Sequence, residues 1–408
     1  MSNPFKSDPY PGGLRILFVG DVHGSHAQSW IGLLAGSGFN LRAFGSANGV
    51  TPQGFKVPTY SPLPQTPPTE WHRPLMTNSW PASSVLRNFN DILGGAMMRR
   101  ALRRVIASWR PHIVHTLGVF PASEFYASSI VDGRQGSPFW VVQARGGPDI
   151  EVNRMVPGRR ETLQRIFQRC DSLIADTDEN LAAAVELGLD PSKRSPIGRV
   201  PGTGGIDVES IAAMNVTPPS ARERLVLVPK AYEHLQSKML PVLEAIRLCF
   251  DRIAPCRFVF TAVNDEVSHW VKMLPPAISQ SLAVHERIPR AELFQMMAQA
   301  KIVLAPSLMD GIPNTMMEAM AIGAVPVVSP LPTIVPHVAD PDNVFFARNL
   351  YPEEIADALV RALDPATPLD VMARRNLEIV RRIGDTHIFA DRIRAFYREA
   401  LPPPHRIK

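Results

Sequence analysis

The sequence predicts an α/β protein built from two doubly wound parallel sheets, and three observations carry that reading. The chain has 408 residues, too many for one ordinary core and enough for two domains. Short apolar runs alternate with helix-patterned stretches through both halves, the order that parallel strands and crossover helices produce. Residues 302–328 hold one complete strand, loop, helix and strand, with Pro313 suited to the helix start, Gly323 to its stop, and an apolar run resuming at Ala324.

The elements follow in order. Residues 14–19 read as a buried strand, a loop with Gly20 and Gly24 comes next, and residues 41–44 form a second strand. Eight prolines fall between residues 52 and 81, which predicts an extended loop with little regular structure. A helix over about residues 85–109 leads to a strand at 113–116, a helix near 122–131 and a strand at 139–143. A helix near 159–169, a strand at 172–175 and a helix near 179–187 complete a first domain over residues 1–210. Pro218 and Pro219 mark the linker. The second domain, residues 220–385, restarts with a strand at 225–228, a helix near 238–250 and a strand at 258–261, and a helix at 290–299 leads into the 302–328 unit. A last helix lies within residues 386–408.

Hydrophobic residues make up 45% of the chain and charged residues 20%, the balance of a soluble globular protein. The first apolar run, residues 14–20, has the length of a strand and lacks that of a signal peptide or membrane span. Cys170, Cys249 and Cys256 form no disulfide or metal spacing, so a reducing cytoplasm is the expected home. The charge is uneven: residues 1–205 carry a net +6 and the remainder −1. Arg99, Arg100, Arg103 and Arg104 form a double stripe on one helix, opposite Leu102, Val105, Ile106 and Trp109. Such a face is ordinarily solvated; its minority reading is contact with anionic lipid, at the inner face of a membrane, or with an anionic acceptor. No aromatic interleaving accompanies the arginines, which argues against nucleic acid.

Two carboxylates bracket the loop and helix of the 302–328 unit. Asp310 follows the strand and Glu318 lies about a turn and a half into the helix, where both can face a ligand at the strand's carboxyl end. Backbone N–H groups at the helix start add partial positive charge there. A helix cap and a solvated glutamate would be the plain alternative.

The segment resembles the signature of glycosyltransferase family 4, an acid followed by seven residues and a Glu, in enzymes of the GT-B fold that use nucleotide-activated sugars. The resemblance implies two Rossmann-like doubly wound domains facing a central cleft, with a terminal helix crossing back to the first. It puts Glu318 on the ribose, Asp310 near the donor sugar, and Gly311, Ile312, Pro313, Asn314 and Thr315 around the nucleotide sugar. Asp310 stands where the family usually has Glu. Lys230 and Lys238 fall where the family places a basic pair on the donor pyrophosphate. The segments 110–115, 143–150 and 200–207 resemble further family blocks in the same order, with His112 in place of an acid and a Thr-Gly insertion before the last turn.

In the first domain, Gly20, His23, Gly24, His115 and Asp149 are expected along the acceptor side of the cleft, with Arg145 where many members have His. Arg145 stays charged and so contacts a phosphate or carboxylate, or else pairs with Asp149 or Glu151. The expected activity is transfer from a UDP-, GDP- or other nucleoside diphosphate sugar to a saccharide or lipid-linked acceptor, with retention and with no metal or cofactor. Family habit points to bacterial polysaccharide or glycolipid assembly.

Two rivals remain. Gly20-Asp21-Val22-His23-Gly24 also resembles the opening block of metallophosphoesterases, whose later blocks the chain lacks. A catalytically inactive, glycosyltransferase-like binding protein is the other. Asp176-Thr177-Asp178 copies the metal-binding Asp-x-Asp of a different glycosyltransferase fold, but it ends a strand and opens a helix, where capping explains it.

Overall fold

The computed structural model describes residues 3–46, 49–51, 54–75, 92–130, 137–146, 149–214 and 217–401. They form two compact units, one running to Gly204 and resuming at Phe389, the other spanning Gly205–Ile388.

The first unit holds seven strands: β1 (Arg15–Gly20), β2 (Asn40–Gly45), β3 (Thr59–Ser61), β4 (His72–Pro74), β5 (Ile113–Leu117), β6 (Phe139–Ala144) and β7 (Ser172–Ala175). They are ordered β4-β3-β2-β1-β5-β6-β7, and each neighbouring pair runs parallel. Ile16 faces Leu41 on one side and Ile113 on the other. Central strands covered on both faces need continuous apolar runs, and the sequence Ile16-Leu17-Phe18-Val19 supplies one that is wholly buried. On one face, Met98, Leu102, Val105 and Trp109 of the helix Ile92–Trp109 join Leu163, Ile166 and Phe167 of the helix Arg159–Arg169. On the other, Trp30 and Ile31 pack with Ile393, Phe396 and Tyr397 of the last helix, Thr386–Glu399.

The second unit holds β8 (Leu225–Val228), β9 (Arg257–Phe260), β10 (Leu282–Val284), β11 (Ile302–Leu304), β12 (Val325–Val328) and β13 (Phe345–Phe346). Their order is β10-β9-β8-β11-β12-β13, again parallel. The chain winds outward from β8 through β9 and β10, then returns to β11 and winds the other way. The switch point lies between β8 and β11, where crossover loops diverge and leave a crevice at the strands' carboxyl ends.

The proline-rich segment departs from expectation. Its described part carries β3 and β4, which extend the sheet edge where a loop was predicted. Proline is tolerated there because edge and terminal strand positions do not need every N–H. The start of the helix expected over residues 85–109 lies outside the described residues, and the described helix is Ile92–Trp109.

Candidate functional site

The second unit's crevice is lined by Lys230 and Tyr232 after β8, Ser237 further along that loop, and Met309, Asp310, Pro313 and Thr315 after β11. The loop is fixed from below. Ser307 N donates to Ser329 Oγ at 3.0 Å, Leu308 N to Gln236 O at 2.7 Å, and Thr333 Oγ1 to Asp310 O at 3.0 Å. Extended Pro313 then opens the helix Asn314–Ala321, whose residues from Thr315 on are all buried.

Four charges converge here. Lys230 Nζ stands 3.9 Å from Asp310 Oδ2. Burial pushes the Asp310 carboxyl up from its ordinary range, while Lys230 and a 2.9 Å hydrogen bond from Gly311 N pull it back. Glu318, 8% exposed at its side chain, is pushed up by burial in the same way and pulled back by Arg290 and Lys230. Arg290 Nη2 lies 2.5 Å from Glu318 Oε1. The structure therefore brings Asp310, Glu318 and Lys230 together, and adds Arg290, which the sequence had shown only as the first residue of a helix. Its spacing from Glu318, 28 positions, carries no local signal.

Lys238 behaves differently from its expected partner. Its ammonium is held 2.7 Å from Glu233 Oε1, while Glu233 Oε2 accepts from Met239 N at 2.9 Å. Asn349 fixes the Lys238 backbone on both sides, accepting from its N–H at 2.8 Å and donating to its carbonyl at 3.1 Å. Lys238 thus closes a loop, and Lys230 is the cation left facing the crevice.

In the first unit the strand-end loops are knit together by carboxylates. Asp149 accepts from Val119 N, Phe120 N and Arg145 N at 3.0–3.3 Å, which ties the loop after β5 to that after β6. Asp176 Oδ2 accepts from Gly146 N at 2.5 Å, and Thr177 Oγ1 caps the next helix by accepting from Asn180 N at 3.1 Å. The Asp176-Thr177-Asp178 triplet is accordingly architectural. Arg145 Nε donates to Gln143 Oε1 at 3.2 Å, and its buried Nη2 has no hydrogen-bond partner among the described residues. Desolvation lowers its pKa to about 10. Neither Asp149 nor Glu151 forms a side-chain ion pair with it; Glu151 pairs with Arg154 instead.

Gly20 has φ +143, and a Cβ there would stand 3.0 Å from Leu117 O and Ala122 Cβ, so only glycine fits the exit from β1. At Gly24 a Cβ would meet Asp21 Oδ2 at 2.9 Å. His23 Nε2 lies 2.9 Å from Ser61 Oγ, and burial lowers the His23 pKa. Among the described residues no three His, Cys, Asp or Glu side chains converge as a metal site would require.

His115 is a correction. It was expected to face a cleft from a strand end, but it sits in mid-β5, wholly buried. Tyr397 OH lies 2.5 Å from its Nδ1 and accepts from Trp30 Nε1 at 2.9 Å. Burial holds the His115 pKa well below its ordinary value. It is a core residue that fastens the last helix.

Comparisons with known proteins bear on the fold and on the second unit's sequence. Residues 224–365 match the family model described as Glycosyl transferases group 1. WcaL of Escherichia coli (strain K12), named as a colanic acid biosynthesis glycosyltransferase, is 25% identical over 235 residues. That match covers 55% of this chain and 54% of WcaL, so it spans about half the length of each. Among solved structures, Anabaena HepE in complex with UDP-glucose superposes with a TM-score of 0.68 at 13% identity, over 93% of this chain and 98% of that one. Sucrose-phosphate synthase from Thermosynechococcus elongatus gives 0.69 at 14%, over 95% and 98%. The two doubly wound sheets are those of the GT-B fold.

Proposed function

Taking residues 224–365 as a group 1 glycosyltransferase domain, we propose that the chain transfers a sugar from a nucleoside diphosphate sugar to a saccharide or lipid-linked acceptor. One observation carries the proposal: Asp310, Glu318 and Lys230 meet at the switch point of the sheet that the family model matches.

Each residue has a chemical part. Glu318 accepts hydrogen bonds from the ribose hydroxyls. Lys230 moves its charge from Asp310 to the diphosphate as the bond to the anomeric carbon breaks, which stabilises the leaving group where charge develops. Asp310 faces the sugar, and Gly311, Ile312, Pro313, Asn314 and Thr315 present the helix start to the phosphates. The acceptor oxygen attacks the anomeric carbon on the face the phosphate leaves, and the departing phosphate oxygen takes the acceptor's proton. Configuration is retained. Arg145, together with the loops bearing Gly20, His23, Gly24 and Asp149, belongs to the acceptor side.

A lysine that neutralises the diphosphate removes the need for a divalent cation there, so turnover should survive EDTA. On the partner side, Arg100, Arg103 and Arg104 are exposed and Arg99 is half-buried on the helix Ile92–Trp109, which supports contact with an anionic membrane surface.

The deciding experiment is sugar transfer, or slow donor hydrolysis, by purified protein across a panel of UDP-, GDP-, ADP- and dTDP-sugars. Transfer or hydrolysis supports an enzyme. Tight donor binding without turnover would favour the inactive binding protein.

A further inference from the structure

We infer that Arg290 is a positioning residue of the donor site, holding one oxygen of Glu318 and leaving the other for a ribose hydroxyl of a nucleoside diphosphate. The inference rests on the donor reading above.

The pair is unequal. Arg290 is 48% exposed at its side chain and Glu318 is 8% exposed, with 2.5 Å between Nη2 and Oε1. A carboxylate that deep needs a cation in contact, because an unpaired buried charge is strongly destabilising. Glu318 cannot turn elsewhere, since the helix that carries it is buried from Thr315 to Ala321.

The guanidinium is fixed from its other side as well. It lies 4.8 Å over the ring of Phe294, one helical turn along, and Phe294 is itself buried. Arg290 opens the helix Arg290–Gln299 directly after Pro289, so its backbone is set too. An arginine stacked and paired in this way loses little freedom when a ligand arrives.

Glu318 Oε2 tells the rest. It receives no hydrogen bond from the described residues and is not sealed from solvent. A carboxylate with one oxygen held by Arg290 and the other open keeps the free oxygen's lone pairs aimed in a fixed direction. Protonation would destroy that acceptor, turning a charge-assisted bond into a neutral one. Arg290 opposes this by favouring the ionised form, working against the burial that raises the Glu318 pKa.

Two measurements test the role. The Glu318 carboxyl is titrated by 13C NMR in wild type, Arg290→Ala and Arg290→Lys, and UDP and GDP binding is followed by calorimetry from about pH 5 to about pH 8. Arg290→Ala should raise the Glu318 titration, weaken nucleotide binding about tenfold or more, and weaken it most at the acid end. Arg290→Lys should restore most of the titration. The double variant Arg290→Ala with Glu318→Gln should bind no more weakly than Glu318→Gln alone. A Glu318 titration identical in wild type and Arg290→Ala overturns the pairing whatever nucleotides do. A shifted titration with unchanged binding overturns the positioning role. Wild-type protein that binds neither UDP nor GDP, nor any other nucleoside diphosphate, refutes the donor reading itself and the positioning role with it.

Discussion

Lys230 Nζ stands 3.9 Å from Asp310 Oδ2, and the same ammonium joins Arg290 in pulling back the Glu318 pKa that burial raises. One cation serves both acids at the switch point of the second unit's sheet. Lys230 is 46% exposed at its side chain, so it can exchange Asp310 for a diphosphate without breaking a buried pair.

Lys230→Ala should therefore depress turnover more than donor affinity, by about 100-fold or more, because its charge matters most as the phosphate leaves. Lys238→Ala should behave otherwise. Its ammonium is already held by Glu233, so its loss should match that of Glu233→Ala and appear as a loosened loop. Steady-state kinetics with direct donor-binding measurements separate the two. Equal, large turnover defects in both lysine variants would restore the basic pair.

Asp310→Asn should make the protein more stable near neutral pH. Burial raises the folded-state pKa of Asp310 above its unfolded value, so its contribution to stability is fully present below the unfolded pKa and is lost as pH rises through the folded one. At neutral pH the ionised form is the one that folding disfavours. The amide removes that cost, and Tm should rise by a few degrees, with the gain vanishing toward about pH 3. A gain that persists at acid pH, or a loss at neutral pH, would contradict the strained-carboxylate picture. Transfer should fall in the same variant.

Tyr397→Phe should destabilise the first unit by about 1–3 kcal/mol, because it leaves Trp30 Nε1 and His115 Nδ1 buried without their shared partner. Urea denaturation measures this. Donor binding should not change, since Tyr397 and its partners all belong to the first unit.

Much of this was legible in the sequence where the signal is local. The strands Ser172–Ala175 and Leu225–Val228 and the helices Arg159–Arg169 and Arg290–Gln299 appear at their expected boundaries, since apolar runs and helical periodicity depend only on neighbours. Pairing at a distance was not legible. β3 and β4 are three-residue strands whose existence depends on the β2 edge, and prolines around them gave the stronger local signal. His115 looked like a site residue because the 110–115 segment resembles a family block and was placed at a strand end, but a tyrosine 282 positions later holds it in the core. Asp310 and Glu318 were found through a motif of fixed spacing, whereas Arg290 reaches Glu318 from another helix and belongs to no motif.

Reversing Arg100, Arg103 and Arg104 to Glu should abolish binding to anionic vesicles and leave donor binding untouched, because the stripe and the donor residues lie in different units. Salt should weaken wild-type binding, since such attraction is screened over about 8–10 Å. Wild-type protein that ignores anionic vesicles at low salt would leave the arginines as a solvated face. The acceptor would then more naturally be a soluble saccharide.

The central claim is that the second unit binds a nucleoside diphosphate sugar through Glu318. Calorimetric titration of wild type and Glu318→Ala with a panel of nucleoside diphosphates and their sugars tests it most directly. The account predicts saturable wild-type binding to at least one member and a loss of about 1.5–3 kcal/mol in the variant, the worth of a charge-assisted hydrogen bond, with the fold intact by circular dichroism. Equal affinity in wild type and variant for the nucleotide that binds would contradict it.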